Sequence, residues 1–378
     1  MRIWHFTESY EPYLSGVALS VGLLKKAQEA RGDEVWVVAP QYPNHVDSRD
    51  HVFRLPSIPS PYPGFRIALP WQGLLQSHYL KHPPDIIHSH STFGLGRRAA
   101  QFAKKWGIPL AFTIHTRFEH YVHHLSVLPP QWARKGLERW LKRTIQDATV
   151  VIAPSDGFAR EVAQQHALPR VYAVPTAIDF PTLAFETRSN VRRKLGVAEN
   201  VSLFLVVGRI SPEKNIQGSL DAFSEIAKKR PDVHLLVVGD GPDRPRLMEK
   251  YRKEKSGLAI SWAGLAPRVS RPGSPSVFEY YAASDLFLFT SLTETQGLVL
   301  PEAMGMGLPV LALESSAARE AIDSGKTGYI GDGIPSLVDQ AVHWIDRIEE
   351  RHLVSHHAMQ FAREKYDLTR YAEMVEAV

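Results

Sequence analysis

Two glutamates in the last third of the chain are spaced in a way that suits the recognition of a sugar. Glu294 precedes a glycine turn and Glu302 lies about one turn into the predicted helix that follows, so both can face one ligand, with unpaired helix amides between them. Carboxylates accept hydrogen bonds from vicinal hydroxyl groups. A solvated helix position for Glu302 is the simpler alternative. It does not explain why Gly297, Gly305 and Gly307 interrupt the helix at about 1 kcal/mol for each interior glycine.

A pair of cations lies on a second loop, Gly208 to Asn215 (GRISPEKN), which follows a predicted strand and precedes a predicted helix. Arg209 and Lys214 would stand at the carboxyl end of that strand, where open α/β sheets bind their ligands. Together the two side chains could neutralise a diphosphate. The alternative is a helix-capping loop in which Glu213 and Lys214 pair with each other in solvent.

Single glycine and histidine residues mark further candidate positions in the first half of the chain. Gly16 lies in a strand-to-helix turn where an anion could bind the first helix amides, although most such glycines only permit the turn. His115 ends a predicted strand, where a lone histidine is more often a core residue. His88 and His90 point to the same side of a strand and could bind a metal, but a structural role is favoured because no suitable carboxylate is nearby. We therefore expect no metal site.

The composition excludes several classes of protein. The chain has 378 residues, 44% hydrophobic and 22% charged, which suits two globular domains and rules out a disordered or fibrous protein. It has no cysteine, which excludes disulfide frameworks, thiol nucleophiles and thiolate metal sites. No run of about 18 uncharged apolar residues occurs, and the first residues resemble a core strand carrying Glu8 and Glu11 rather than a signal peptide. A cytoplasmic protein is favoured.

The elements that must position these residues alternate between strand and helix. This alternation runs twice along the chain, which predicts an α/β protein with two Rossmann-like, doubly wound domains. The strands are expected at Arg2–Phe6, Glu34–Ala39, Asp85–His88, Leu110–His115, Thr149–Ala153, Val171–Val174, Ser202–Val207, Val233–Val238, Ala259–Trp262, Leu286–Phe289 and Pro309–Leu313. Turn formers without a sustained period from Ile178 to Asn200 predict the boundary, with domains at 1–180 and 181–365. The proline-rich stretch from Pro56 to Pro70 is expected to be an extended surface loop.

These motifs resemble those of retaining glycosyltransferases of the family 4 type. That family has the GT-B fold, in which two Rossmann-like domains face each other across a cleft. GRISPEKN is similar to the family's G-R-x-x-x-E-K-N loop, VVGDGPDRPRL to its nucleotide-proximal glycine turn, and Glu294 to Glu302 to its E-x7-E motif. The motifs occur in the family's order, and the resemblance spans nearly the whole chain.

The resemblance implies a role for each matching residue. Arg209 and Lys214 would grip the diphosphate of a nucleotide-sugar donor. Glu294 would hold the hydroxyls of the transferred sugar and Glu302 those of the ribose, while His115 would lie near the reacting carbon. His115, Glu294, Arg209 and Lys214 would thus form the catalytic group. The donor-binding residues would be Gly16, Gly208, Arg209, Lys214, Gly241, Glu294, Thr295, Gln296, Gly297, Leu298 and Glu302. Residues 1–180 would bind the acceptor, residues 181–365 the donor, and residues 366–378 would pack back on the first domain.

The first half of the chain carries an excess of positive charge. Residues 1–180 contain 20 Lys and Arg against 14 Asp and Glu, whereas the rest contain 24 against 26. From Pro130 to Arg143, apolar residues recur at helical spacing with cations mostly on the other faces, as in an amphipathic helix at an anionic membrane surface. An ordinary helix docked on the sheet is the alternative. The residues expected to contact the membrane are Trp132, Arg134, Lys135, Arg139, Trp140, Lys142 and Arg143.

A shorter motif concerns the acceptor. His115 to Tyr121 (HTRFEHY) resembles the H-T-x-x-E-x-Y stretch of bacterial diacylglycerol glycosyltransferases, which build membrane glycolipids. This resemblance implies that Glu119 orients the acceptor hydroxyl and that Tyr121 lines the acceptor channel. A packing role for Glu119 stays open.

The sequence therefore predicts a retaining, metal-independent hexosyltransferase. It would move a hexose from a nucleotide diphosphate sugar such as UDP-glucose to a lipid such as diacylglycerol or a glycosyl-diacylglycerol. We expect it to be peripherally associated with the inner face of the cell membrane, without a cofactor or a nucleic acid partner. The alternatives are a soluble acceptor, a nucleotide-sugar epimerase of the same fold, a dinucleotide-dependent dehydrogenase and a sensor without turnover. The dehydrogenase is disfavoured because Ile114 and His115 stand where its acidic residue is required.

Overall fold

The computed structural model describes residues 1–13, 15–47, 50–60, 64–69, 72–92, 94–117, 139–254, 257–271 and 274–378. The chain divides into two compact units. The first comprises Met1–Ala177 and Leu368–Val378, and the second comprises Ile178–Asp367. The division after Ala177 lies close to the boundary that the sequence predicts at residue 180.

Nine strands occur in the described part of the first unit. They are β1 (Arg2–Phe6), β2 (Glu34–Pro40), β3 (Val52–Leu55), β4 (Ser57–Pro59), β5 (Arg66–Ala68), β6 (Ile86–Ser89), β7 (Leu110–Thr113), β8 (Val150–Ala153) and β9 (Tyr172–Ala173). Seven of them form one parallel sheet in the order β3-β2-β1-β6-β7-β8-β9. Helices cover such a sheet on both faces, and the central strands β1 and β7 are accordingly almost entirely buried.

The remaining two strands correct the expectation of an extended surface loop from Pro56 to Pro70. β4 and β5 pair in an antiparallel ribbon, with Ser57 opposite Ala68 and Pro59 opposite Arg66. Proline is tolerated here because each strand has an edge without a ladder partner. The prolines exclude a helix, as expected, but they do not exclude a short strand pair.

Four described helices of the first unit lie between its strands. They are α1 (Gly16–Ala30), α2 (Gln72–Lys81), α3 (Gly94–Trp106) and α4 (Asp156–His166), and residues 139–145 are also helical. The hydroxyl of Ser15 accepts the Ala18 amide at the start of α1, and the hydroxyl of Ser155 accepts the Phe158 amide at the start of α4. α3 packs against β6 and buries Leu95, Ala99 and Phe102 under the sheet.

The second unit has a parallel sheet of its own. Its strands in the described chain are β10 (Ser202–Val207), β11 (Val233–Val238), β12 (Ile260–Gly264), β13 (Leu286–Phe289), β14 (Val310–Leu313) and β15 (Tyr329–Gly331). Their order is β12-β11-β10-β13-β14-β15, so the strand order reverses direction between β10 and β13. Ligands of open α/β sheets bind at the carboxyl ends of strands near such a reversal.

Helices cover both faces of the second sheet. They are α5 (Thr187–Leu195), α6 (Ile216–Lys229), α7 (Arg244–Glu254), α8 (Val277–Ala283), α9 (Val299–Gly305), α10 (Ser316–Ala321), α11 (Ile334–Asp346) and α12 (Ile348–Lys365). The side chain of Asn215 caps α6 by accepting the amide of Gly218. α5 lies within the segment from Ile178 to Asn200, which the sequence analysis treated as irregular because no helical period is sustained there.

Two glycines at the end of α9 also correct the sequence analysis. Gly305 is the last helical residue, and a Cβ there would lie 2.0 Å from the ring of Phe180. Gly307 has a φ of +76°, a left-handed conformation that favours glycine. The two glycines therefore end the helix and permit close packing, rather than interrupting a longer helix.

The last helix, α13 (Leu368–Glu376), belongs to the first unit, where it packs on α1. The buried hydroxyl of Tyr371 lies 3.0 Å from that of Ser20, and the guanidinium of Arg31 lies 2.9 Å from the carboxylate of Glu376. The first unit is therefore discontinuous in sequence, with the second unit inserted into it.

Candidate functional site

Glycines allow two loops of the second unit to lie against each other. The loop after β10 contacts the loop after β11 at the carboxyl ends of these strands. A Cβ on Gly239 would lie 1.9 Å from the carbonyl oxygen of Gly208, and a Cβ on Gly241 would lie 2.2 Å from that of Ile210. Neither position has room for a side chain, so the backbone itself forms this surface. The two motifs predicted to bind the donor are adjacent.

Lys214 and Glu294 form an ion pair at the same edge of the sheet. Nζ of Lys214 lies 2.7 Å from Oε1 of Glu294, and the two side chains are 22% and 17% exposed. The hydroxyl of Thr293 donates to the carbonyl of Glu213 at 3.0 Å, which ties the loop after β13 to the loop after β10. The prediction assigned the cation to the diphosphate and the carboxylate to the sugar. The structure brings these two side chains into direct contact.

Arg209 lies on the same loop with an exposed side chain. Its charge acts on Glu213 together with that of Lys214. Burial raises the pKa of Glu213, but a hydrogen bond from the Ser211 hydroxyl at 2.6 Å, a backbone hydrogen bond and these two cations together hold the pKa below its usual value. The loop therefore presents two cations around an ionised carboxylate.

Glu302 is buried and bonded through both carboxylate oxygens. Its Oε1 lies 2.6 Å from Nη1 of Arg268, and its Oε2 accepts the hydroxyl of Tyr281 at 3.0 Å. Burial and the neighbouring carboxylate raise the pKa of Tyr281 well above its ordinary value, so the phenol remains a donor. A carboxylate has about four lone-pair sites, so Glu302 retains capacity for further donors.

Arg268 and Tyr281 are contacts that the sequence analysis missed. Arg268 follows β12 at the carboxyl edge of the second sheet, so the rule that drew attention to Arg209 could have found it. Tyr281 lies within α8, where an aromatic residue is typical of packing, and no local signal marks its hydroxyl.

The residues after Glu294 form the turn into α9. Gly297 has a φ of +70°, a left-handed conformation that favours glycine, although a Cβ there would make only ordinary van der Waals contact with Leu300 and Glu294. Gln296 is buried, Thr295 is partly exposed, and Leu298 is the residue that precedes the helix. The prediction of donor contacts from Thr295 to Leu298 thus falls on a backbone turn that is held in place by a glycine.

Gly16 in the first unit is the exposed first residue of α1. The preceding Ser15 caps the helix and donates from its hydroxyl to that of Ser9 at 3.1 Å. The sequence predicts no site role for Glu8, which directly precedes Ser9. Glu8 is buried, and its Oε1 accepts the amide of Leu95 at 2.6 Å at the start of α3. Burial raises the pKa of Glu8.

His115, just after β7, lies at the end of a row of histidines. Nε2 of His115 lies 3.0 Å from Nδ1 of His90, and Nε2 of His90 lies 2.8 Å from Nδ1 of His5. His5 and His90 are buried, and His115 is partly buried. Desolvation lowers the pKa of His5 and of His115 to about 4, and it lowers that of His90 well below its ordinary value. All three rings are therefore neutral at pH 7.

His5, His88 and His90 are the residues within the described ranges whose ring nitrogens are close enough to suggest a metal site. However, the facing nitrogens of His5 and His90 are only 2.8 Å apart, whereas ligands of a tetrahedral zinc lie roughly 3.3 Å apart. Nε2 of His88 lies 2.7 Å from the hydroxyl of Thr113. A metal would have to displace these hydrogen bonds.

Several predicted acceptor and membrane residues lie outside the described part of the chain. They are Glu119, Tyr121, Trp132, Arg134 and Lys135. Their assigned roles stay predictions.

Residues 139–145, the described part of the segment predicted to be a basic helix, are helical and pack into the core of the first unit. Leu141 and Ile145 are buried in the core beside β8. The indole N–H of Trp140 donates to the carbonyl of Thr92 at 2.6 Å, and the guanidinium of Arg97 stacks 5.1 Å from its ring. The structure thus gives Trp140 a partly buried position on the protein, as in the docked-helix alternative.

Two of the cations in residues 139–145, Arg139 and Arg143, line a cavity of about 490 Å³ beside α3. Arg139, Lys142 and Arg143 are exposed. The charged residues that line the cavity are Arg97, Lys104, Arg139, Arg143 and Asp147. Asp147 lies 3.4 Å from Lys104, and no ion pair involving one of the three arginines is found within the described residues. The cavity therefore carries a net positive charge.

None of the helices in the described ranges is both long enough and apolar enough to cross a membrane.

Family models match both halves of the chain. Residues 14–180 match the model described as Glycosyltransferase Family 4, and residues 202–347 match the model described as Glycosyl transferases group 1.

Individual proteins are similar over most of the chain. It is 29% identical over 356 residues to the alpha-monoglucosyldiacylglycerol synthase of Acholeplasma laidlawii, covering 91% of this chain and 88% of that protein. It is 31% identical over 327 residues to the protein of the same name in Streptococcus pneumoniae, covering 82% and 71%. The solved structure of Anabaena HepE in complex with UDP and glucose is 19% identical with a TM-score of 0.77, covering 100% of this chain and 98% of that one. This likeness confirms the predicted fold class, two parallel-sheet α/β domains of the GT-B type.

Proposed function

The chain belongs to the glycosyltransferases of family 4, and on this premise we propose that it transfers a hexose from a nucleotide diphosphate sugar to a lipid acceptor. Glycosyltransferase activity follows from the family. The lipid acceptor, diacylglycerol or a glycosyl-diacylglycerol, is supported by the two similar synthases, whose names specify a glucosyl diacylglycerol. The same names favour glucose as the hexose, and we propose UDP-glucose as the donor.

The observation that carries the donor proposal is the ion pair between Lys214 and Glu294. A lone cation would suit any anion and a lone carboxylate any hydroxyl. A cation and a carboxylate held 2.7 Å apart suit a ligand in which a phosphate is bonded directly to a polyhydroxylated ring. Arg209 on the same loop would add a second positive charge for the diphosphate.

We propose that the transfer retains the configuration at the anomeric carbon. The bond from that carbon to the leaving phosphate oxygen breaks, and the acceptor oxygen bonds to the same face of the ring. The acceptor proton passes to the leaving phosphate oxygen, so the step needs no protein nucleophile. The cations of Arg209 and Lys214 stabilise the negative charge that develops on the diphosphate. We propose that this stabilisation makes a metal ion unnecessary.

The donor and acceptor proposals are tested together with the purified chain, radiolabelled UDP-glucose and vesicles that contain diacylglycerol. We expect labelled glycolipid and free UDP in equal amounts, an α-linked product by NMR, and unchanged rates in EDTA. A β-linked product would contradict retention, and a rate restored only by a divalent cation would contradict metal independence. Conversion of the donor in the absence of lipid would instead indicate the epimerase.

We propose that the protein associates peripherally with the inner face of the cell membrane through the basic surface of its first unit. The outward cations of residues 139–145 and the positively charged cavity beside α3 support this proposal. Each cation near an anionic lipid surface contributes about 1 kcal/mol to binding at moderate salt. The guanidinium of Arg97 lies over the ring of Trp140. Trp140 would then orient Arg97 rather than insert into the acyl chains.

Cosedimentation with vesicles of phosphatidylglycerol and phosphatidylcholine tests the surface. Neutralising Arg97, Arg139 and Arg143 to glutamine should lower the partition coefficient about a hundredfold at low salt. A matched variant neutralises three exposed lysines of the second unit and changes the net charge equally, at Lys228, Lys229 and Lys253. Equal losses in the two variants would show that net charge, and not this surface, governs binding.

A further inference from the structure

An unbroken line of hydrogen bonds links the His115 ring to the buried side chain of Gln28. The line runs from Nε2 of His115 to Nδ1 of His90 at 3.0 Å, and from Nε2 of His90 to Nδ1 of His5 at 2.8 Å. It ends where Nε2 of His5 lies 2.8 Å from Oε1 of Gln28. We call these four residues the histidine chain.

The end of the histidine chain fixes the direction of every bond within it. The amide oxygen of Gln28 can only accept, so Nε2 of His5 must carry a hydrogen. A neutral imidazole has one donor and one acceptor, so Nδ1 of His5 accepts from Nε2 of His90. By the same rule Nδ1 of His90 accepts from Nε2 of His115. The rule applies because burial keeps these rings neutral, as their lowered pKa values indicate.

We propose that Gln28, His5 and His90 are positioning residues that hold His115 in the tautomer with its hydrogen on Nε2 and a lone pair on Nδ1. The three residues lie on α1, on β1 and just after β6, so rigid elements set the orientation of the ring. The Nε2 hydrogen is committed to His90, so the ring offers an acceptor, and not a donor, at its other nitrogen. Such a ring suits a donor-sugar hydroxyl that donates its hydrogen.

The effect of this tautomer on sugar transfer rests on the proposed function, in which His115 lies beside the sugar. The assignment of the tautomer does not depend on that role. Orientation of a group that contacts the reacting sugar affects the transition state more than the binding of the donor. We therefore expect loss of the histidine chain to lower kcat and to leave the KM for UDP-glucose nearly unchanged.

The ring of His88 provides a control beside the histidine chain. It is buried and packs against the ring of His90 in a tilted arrangement, with ring centroids 4.1 Å apart. Its Nε2 bonds to the hydroxyl of Thr113, so it takes no part in the links between Gln28 and His115. Replacing His88 removes a buried imidazole of the same size and leaves every link of the histidine chain in place.

The first experiment reads the tautomers directly in substrate-free protein. Long-range proton–nitrogen NMR correlations of nitrogen-15 histidine-labelled protein distinguish a protonated from an unprotonated ring nitrogen, and single histidine variants assign the signals. We expect His5, His90 and His115 all to carry the hydrogen on Nε2. Gln28→Leu removes the fixed acceptor, so the His115 signals should move to values between the two tautomers, while His88→Gln should leave them unchanged. A hydrogen on Nδ1 of His115 in the unaltered protein would overturn the proposal.

The second experiment measures transfer from UDP-glucose to diacylglycerol in vesicles. We expect Gln28→Leu and His90→Leu to lower kcat about tenfold with the donor KM within twofold, and His88→Gln to change kcat less than threefold. Equal losses in all three variants would indicate general damage to the core and would overturn the positioning role. If His115→Ala keeps full activity, the proposed role of His115 in transfer fails, while the NMR result still judges the histidine chain.

Discussion

The candidate sites of the two units use opposite electrostatics. In the second unit, carboxylates are paired with cations, Lys214 with Glu294 and Arg268 with Glu302. In the first unit, the ring next to the predicted reaction centre belongs to a line of neutral imidazoles that burial keeps uncharged. Charged pairs suit a ligand that carries charge and hydroxyls together. A neutral line suits the fixed orientation of one ring. Under the proposed function, the second unit would bind its ligand by charge, and the first unit would orient a ring by hydrogen bonding.

The largest effect is expected when the negative charge of Glu294 is removed. Glu294→Gln removes the carboxylate that contacts Lys214, so the cation loses its partner and the proposed sugar contact is lost. We expect kcat/KM for glycolipid formation to fall about 10²- to 10³-fold, the range for loss of one preorganised polar contact. Glu225→Gln is the matched control, because Glu225 pairs with Lys228 on the exposed surface. Full activity of Glu294→Gln would refute the donor site.

The pH dependence of stability tests the neutral side. Burial lowers the pKa of His5 to about 4 in the folded chain, whereas an unfolded histidine has a pKa of about 6.5. Between these values the unfolded chain binds a proton that the folded chain does not. The contribution of neutral His5 to the free energy of unfolding is therefore fully present above about pH 6.5. It is lost as the pH falls towards 4, and it amounts to roughly 3 kcal/mol.

Urea unfolding between pH 7 and pH 5 measures this loss, since most carboxylates stay ionised there. We expect the free energy of unfolding to fall with decreasing pH. The slope of this free energy against pH reports the number of protons taken up on unfolding, and His5→Gln should reduce that number by up to one. A free energy that is flat across this range would contradict neutral burial of the imidazoles.

A smaller effect is expected at the pair of Arg268 and Glu302. Arg268→Gln leaves the buried carboxylate with the Tyr281 hydroxyl and a weaker neutral partner. Because Arg268 is one-third exposed, water compensates for part of the loss, and we expect a destabilisation of about 1–3 kcal/mol by urea unfolding. Arg246→Gln disrupts an exposed pair with Asp243 and should cost less than about 0.5 kcal/mol. Equal destabilisation by Arg268→Gln and Arg246→Gln would mean that the buried ion pair of Glu302 stabilises the fold no more than an exposed ion pair does.

The smallest effect is expected when a single hydroxyl group, that of Tyr281, is removed. Tyr281→Phe keeps the ring and removes the hydrogen bond to Oε2 of Glu302. We expect a loss of about 1 kcal/mol, measured as a shift of the urea midpoint. Tyr280→Phe on the same helix is the control, and its shift should be smaller. A stabilised Tyr281→Phe protein would show that Arg268 alone satisfies the carboxylate.

The sequence was informative about strands and loops because both have local signals. Apolar β-branched runs predicted the central strands of both sheets within about two residues, and motif spacing placed Lys214 and Glu294 at one sheet edge. The short strands β3, β4, β5 and β15 were missed, since a few residues beside prolines or glycines do not show a period of two.

Contacts between side chains that are far apart along the chain could not be predicted from the sequence, for a different reason. Arg268 and Glu302 are 34 positions apart, and His5 and His90 are 85 apart, so no spacing rule brings either pair together. From the sequence, His88 and His90 form the expected pair, because residues two apart on a strand point to the same side. In the structure His90 instead bonds to His5 on the neighbouring strand β1, and His88 to a threonine on β7. Such contacts depend on strand order, which local patterns do not specify.

The return of α13 to the first unit has a consequence for synthesis on the ribosome. Ser20 meets Tyr371 across 351 positions of sequence, so this contact cannot form until nearly all of the described chain has been translated. The inserted second unit is contiguous and can fold as soon as it emerges, whereas the amino-terminal sheet must wait with one face of α1 uncovered. The unit that is made first is therefore the last to be completed, and α13 closes it.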